Sequence, residues 1–187
     1  VLPDSTKVEL IVHEGRRNWR QQNTSTSDKI RNLSAGLAQP GPMSGQLYSV
    51  DHLDRTLHSM DSEIAESDVI SVTSRVFDAN DNFIGHLAVM NLHTDAIEDL
   101  DLLIKVLRET TGRIPGYLLA SGRYYHYYGS QLLTERQWLK FLAQFLMPCV
   151  LVSPRYIGHS LFSGFCSVRL TRANPHKPVT PTLVTAV

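Results

Sequence analysis

Twice after residue 68, two strand-like runs joined by a tight polar turn lead directly into a helix signal, and this recurrence restricts the folds open to the chain. In the first case Val69 to Phe77 is β-branched, Asp78 to Asn82 is a turn, and Phe83 to Leu92 is a second strand. Asp95 and Glu98 then have the spacing of a capping box, and Leu100, Leu103, Ile104 and Leu107 fall on one helical face that ends at Gly112. In the second case Gly116 to Ala120 and Arg123 to Tyr128 flank a Ser121-Gly122 turn. A capping box from Thr134 to Gln137 follows, with Trp138, Phe141, Leu142 and Phe145 as the apolar helix face. Ser153-Pro154 opens a shorter helix that Gly164 closes. Phe165 to Thr171 alternates as a strand, and the tail from Pro178 to Val187 suits an edge strand.

The order after Asp68 is therefore β-β-α-β-β-α-α-β. Hairpin-joined strands pair antiparallel. The expected class is α+β, a two-layer α/β arrangement with helices on one face of a mainly antiparallel sheet. The other face is expected to be open, or covered by the N-terminal region, and is where a site is sought. Residues 68–187 form the expected core and residues 1–67 an N-terminal arm or extension, partly irregular. In that arm Lys7 to His13 alternates weakly as a strand, residues 14–32 are polar with Arg16, Arg17, Trp19 and Arg20, residues 38–45 are a Pro/Gly loop, and residues 50–66 suit a short acidic helix.

A chain of 187 residues fits one domain, and 42% apolar with 19% charged residues suits a packed core rather than a disordered chain. No apolar run approaches the roughly 18–20 residues of a membrane span. No basic segment followed by an apolar one suggests export, so the expected location is cytoplasmic. Cys149 and Cys166 both lie in apolar stretches and read as buried thiols in a reducing compartment. The zero net charge hides an asymmetry: residues 50–103 carry twelve acids against Arg55 and Arg75, while residues 123–187 carry seven Lys/Arg against Glu135. Either the C-terminal third offers a basic face to phosphates, or the two regions neutralise each other across the fold.

Three segments carry residues with chemistry. Asn91, His93 and Asp95 alternate at a strand end, so they project together if the strand continues, and His with Asp could hold a divalent metal. The structural alternative is a helix cap at Asp95 and a half-buried strand histidine. In the second segment Ser121-Gly122 is a tight turn whose N–H groups could approach a phosphate. Arg123 could clamp that phosphate, and His126 could donate to it or act as a general acid/base. Tyr124 and Tyr128 could stack on bases; alternatively the tyrosines pack the sheet around a satisfied histidine. In the third, Arg155 and His159 share a helix face, Arg169 and Thr171 share a strand face, and Arg172 to Lys177 is a basic loop. These suit phosphate contacts or, equally, a solvated basic surface. No GxSxG, HExxH, P-loop, GxGxxG or CxxC motif occurs.

Taken in order, these segments resemble the archaeo-eukaryotic primase–polymerase superfamily, especially its small bacterial primase-like members, over about residues 68–182. Ser121-Gly122-Arg123-Tyr124-Tyr125-His126 looks like that superfamily's strand histidine motif, which contacts nucleotide phosphates. Pro154 to His159 and Val168 to Thr171 look like the surroundings of its third motif. The resemblance implies an RRM-like sheet and a metal site of Mg²⁺ or Mn²⁺ held by acids. This chain departs from the pattern where it matters: Asn91 stands in place of the first motif's acid and Ser153 in place of the third's. Neither side chain carries the charge needed between two metals roughly 3.5–4 Å apart. The expectation is a primase-like domain that binds nucleoside triphosphate or nucleic acid with impaired nucleotidyl transfer. Its rivals are a metal-dependent phosphoryl or nucleotidyl transferase using His93, Asp95 and His126, and a non-catalytic interaction module that meets an acidic partner or a second copy of the chain.

Overall fold

The computed structural model describes residues 5–14, 25, 27, 45–93, 99–148, 150–175 and 177–187. Its strands are β1 (Lys7–Glu14), β2 (Gln46–Ser49), β3 (Asp68–Phe77), β4 (Phe83–Leu92), β5 (Gly116–Ala120), β6 (Tyr125–Leu133), β7 (Ser167–Arg169) and β8 (Thr182–Ala186). Its helices are α1 (Leu53–Glu63), α2 (Leu100–Thr110), α3 (Glu135–Leu146) and α4 (Pro154–Ser163), with a short 3-10 turn at Val50–His52 before α1. The class is thus mixed α+β on an antiparallel sheet, as expected. The strands run β2-β1-β3-β4-β6-β5-β8 across the sheet, and β7 pairs with β3 off that path. No helix among the described residues is long and apolar enough to cross a membrane.

Both anticipated hairpins form, and each differs from the sequence reading in a way that shapes the site. β3 and β4 pair only beside their turn, from Arg75–His86 to Phe77–Phe83. Further along, β3 gives its edge to β7 through Ser71–Arg169, Val72–Val168 and Thr73–Ser167, while β4 pairs with β6. Gly85 sits where β4 changes partner: its φ is +150°, and a Cβ there would lie 2.6 Å from the Leu133 carbonyl oxygen. Only glycine tolerates both demands. In the second hairpin the turn is longer than expected, because Arg123 and Tyr124 belong to it and β6 starts at Tyr125. β7 is also shorter than the run from Phe165 to Thr171.

The core follows the predicted periodicities. Trp138, Phe141, Leu142 and Phe145 of α3 are all buried, as are Leu103 and Leu107 of α2. The Thr134–Gln137 capping box opens α3. Asp99 caps α2 through the Leu102 N–H at 2.9 Å; Asp95 and Glu98, the expected box, lie outside the described residues. Tyr127 of β6 and Met90 of β4 pair across the ladder and are fully buried, and Tyr127 lies 6.4 Å from the Phe141 ring. Burying each such side chain contributes about 1.5–3 kcal/mol. β1 is fully integrated into the sheet, with Val8, Leu10 and Ile11 buried beside β3. Residues 15–24 and 28–44, which include the arginine–tryptophan cluster, are outside the described set.

Candidate functional site

The β6 ladder separates two sheet faces. Residues opposite one another share a face, so Met90, Tyr127 and Leu118 point toward the helices, while Asn91, His126 and Leu119 point to the other side. His126 is 3% exposed there, and its Nδ1 has no hydrogen-bond partner among the described residues. Burial pushes its pKa down to about 3, helped by the charges of Arg169, Lys177 and His93. The ring is therefore neutral at physiological pH, with a polar atom left over.

Arg169 lies over this face and is 7% exposed. Its Nη1 donates to the carbonyls of Thr171 (2.8 Å) and Val179 (2.6 Å), and its Nη2 donates to the carbonyl of Ser121. Three backbone carbonyls thus hold the guanidinium without cancelling its charge. Tyr128 donates from its hydroxyl to the Arg169 carbonyl at 3.3 Å, and burial raises its pKa. Lys177 comes from a loop closed by two bonds with Ala173, Ala173 N–H to Lys177 O at 2.8 Å and Lys177 N–H to Ala173 O at 2.7 Å. Burial and the neighbouring Arg169 lower the Lys177 pKa. Among the described residues, no carboxylate is among the groups acting on His126, Arg169 or Lys177.

The other expected site residues take different places. Ser121 serves the cluster through its carbonyl, because its N–H and hydroxyl both donate to the Tyr124 carbonyl, at 2.7 and 2.9 Å. Gly122, at φ +95°, lets this turn close. Arg123 is exposed at the turn, with its guanidinium 5.5 Å from the Tyr124 ring centre. His93 follows β4 with its ring 5.1 Å from Tyr124 and 6.4 Å from Tyr156. Arg155 donates from Nε to His159 Nε2 at 3.1 Å on α4, and burial with the Arg155 charge lowers the His159 pKa. Between them Tyr156 donates to the Ser167 carbonyl at 2.9 Å and so ties α4 to β7. Arg172 is exposed. Cys166 is buried and its thiol is pushed up to about 11, which suits a packed thiol and not a nucleophile. Cys149 lies outside the described residues.

Arg169 and His126, far apart in sequence, are thus brought together; Lys177 is the member that sequence reading named only as part of a basic loop. Pro175 within its loop and Pro178 just after it were the available signals.

A family model described as AEP-like, archaeo-eukaryotic primase 1D-like, matches residues 50–182. The chain belongs to this archaeo-eukaryotic primase 1D-like family. No curated protein and no solved structure matches it. The match spans the whole region of the primase resemblance and includes every member of the cationic cluster. A primase of the two-metal kind needs carboxylate oxygens around its ions. Here no group of three His, Cys, Asp or Glu side chains converges among the described residues, and Asp95 lies outside them. Asn91, His93 and His126 alone, without a carboxylate, do not fit such a centre.

Proposed function

We propose that this primase-like domain binds the phosphates of a nucleotide or nucleic acid at His126 and Lys177, with nucleotidyl transfer impaired. The observation that carries the reading is a buried neutral histidine flanked by two cations on which, among the described residues, no carboxylate acts. Desolvated positive charge without an acid is costly for the protein alone and favours an anion that enters. Lys177 supplies a half-buried ammonium, and His126 supplies a neutral ring N–H that donates without a prior proton. Arg169 has three of its donors engaged by carbonyls. It positions the Ser121 turn and the Val179 segment and contributes its field, which falls on the same space. Asn91 and Ser153, where the family pattern has acids, support the impaired half of the reading.

The test is a thermal-shift and calorimetric titration with a nucleoside triphosphate, with and without Mn²⁺. Bound ligand raises the melting temperature. Lys177→Ala removes one charge-assisted contact and is expected to weaken binding by about 10- to 100-fold, with the melting temperature of the free protein unchanged or raised. A wild-type protein that ignores triphosphates overturns the binding half, and efficient template-directed polymerisation overturns the impaired half.

A further inference from the structure

We infer that Glu66, in the turn between α1 and β3, is a positioning residue for the phosphate site: it clasps Asn174 and so holds the loop that carries Lys177. The inference rests on the phosphate reading above and deepens it by giving the segment before β3 a role in that site.

The loop runs from Thr171 to Val179, and Arg169 pins both ends, its Nη1 donating to the carbonyls of those two residues. Thr171 is fixed a second time by its Oγ1, which accepts from the Ile70 N–H of β3 at 2.9 Å. Further out, the paired bonds of Ala173 and Lys177 close a narrow turn, and Ala173 is 1% exposed. These bonds set the base and the width of the loop. Among the described residues, the hydrogen bonds that tie its outer part to the rest of the fold come from Glu66. The Glu66 carbonyl accepts from the Asn174 N–H at 2.8 Å, and its Oε1 accepts from Asn174 Nδ2 at 3.2 Å. Two bonds between one pair of residues fix a direction as well as a distance. Asn174 stands three positions before Lys177, so a tilt of the loop about its base shifts the ammonium relative to His126 and Arg169. Glu66 itself has firm support. Leu53, Leu57, Met60 and Ile64 pack α1 and its end against the core. The Asp68 N–H donates to the Ala65 carbonyl at 2.9 Å, closing the turn at the residue where β3 begins.

Charge makes the arrangement diagnostic. A carboxylate brought near an anion site opposes binding by Coulomb repulsion. Glu66 faces an amide, however, and the groups that shift Lys177 are burial and Arg169. The carboxylate therefore serves as a hydrogen-bond acceptor for the loop and does not neutralise the ammonium. If Glu66 acted only through its charge, its truncation would tighten anion binding. If it acts by placing Lys177, the same truncation weakens binding. The two roles predict opposite signs.

The experiment is a calorimetric titration with ATP as the triphosphate, on wild type, Glu66→Ala, Glu66→Gln, Lys177→Ala and the Glu66→Ala, Lys177→Ala double variant. Limited trypsin digestion without ligand runs beside it. Glu66→Ala is expected to weaken ATP binding by about 2- to 10-fold, the range for one lost hydrogen bond, although it removes a negative charge. Glu66→Gln keeps an acceptor oxygen and binds ATP at least as tightly as wild type. In the Lys177→Ala background the Glu66→Ala loss disappears, because the loop then has no ammonium to place. Arg172 is exposed but Ala173 is buried, so cleavage between them requires the loop to open. That cleavage is expected to speed up in Glu66→Ala and to stay at the wild-type rate in Glu66→Gln. The clasp is overturned by ATP binding that is unchanged or tighter in Glu66→Ala, by a loss that Glu66→Gln shares, by losses that add to that of Lys177→Ala, or by cleavage indifferent to Glu66→Ala. If wild type binds ATP alongside any of these results, only the clasp falls. A wild type that ignores ATP removes the parent reading and this one with it.

Discussion

Two arginine–histidine settings lie in one sheet and are satisfied in opposite ways. Near the β3–β4 turn, Arg75 donates from Nε to Glu9 Oε2 at 2.9 Å and from Nη2 to Glu9 Oε1, and Thr73 adds a hydroxyl bond to the same carboxylate at 2.8 Å. Beside it, buried His86 bridges Glu135 through Nε2 and Ser74 through Nδ1, both at 2.9 Å, and stacks on Trp138 at 4.2 Å. Because the carboxylate can only accept, Nε2 carries the proton and the Ser74 hydroxyl donates to Nδ1. Every charge there meets an acid and every polar atom of His86 has a partner. At the other end Arg169 meets carbonyls, His126 keeps an unpartnered nitrogen, and Lys177 sits beside them. The first setting is satisfied within the protein; the second leaves a buried ring nitrogen over among the described residues, which the proposed reading assigns to an anion. Both settings contain an arginine and a histidine, so the available partners decide how fully each is satisfied.

The comparison breaks most visibly at Glu9. Glu9→Ala leaves Arg75 without its acid and is expected to cost about 3 kcal/mol in urea unfolding, while triphosphate binding stays at the wild-type level. A loss below 1 kcal/mol would mean that carboxylate pairing does not distinguish the two settings.

A middle-sized effect comes from pH. His126 in the folded state titrates at about 3, below its ordinary 6.5. Between those values the unfolded chain binds a proton that the folded chain refuses, so stability is full above pH 6.5 and falls as pH drops toward 3. The expected loss between pH 7 and pH 5 is about 2 kcal/mol. Burial also depresses His86, which adds in the same direction. His126→Gln should remove most of the slope in urea titrations at the two pH values; an unchanged slope would place the effect elsewhere.

Glu135→Gln gives the smallest change. Glu135 is 59% exposed and its amide replacement still accepts from His86. The expected stability change is within about 0.5 kcal/mol, with phosphate affinity unaltered. A large loss would show that the His86 relay, and not the Glu9 pair, carries the structural end.

Much of this architecture was legible residue by residue. The i, i+3, i+4, i+7 spacing in α2 and α3, the Thr134–Gln137 box and the Ser153-Pro154 start are local signals, and local backbone physics realises them. The partner switch at Gly85 was not legible, because a lone glycine in a strand pattern does not reveal which strand will approach it. The site was legible in part. His126 and Arg169 were identifiable as chemistry, but the Ser121-Gly122 turn was expected to offer its N–H groups to a phosphate, and Ser121 instead gives its carbonyl to Arg169. The turn closes on Tyr124 first, and that bond uses both donors.

The sequence alone determined the element order, the apolar faces and the lack of acids after Glu135, because these depend on near neighbours and composition. Only the tertiary structure decided which cations meet a carboxylate and which do not. That outcome depends on where β7 inserts beside β3 and on how Val179 comes to lie beside the Gly122 turn with its carbonyl on Arg169. Such placements are set by packing between residues distant in the chain, and no local pattern encodes them.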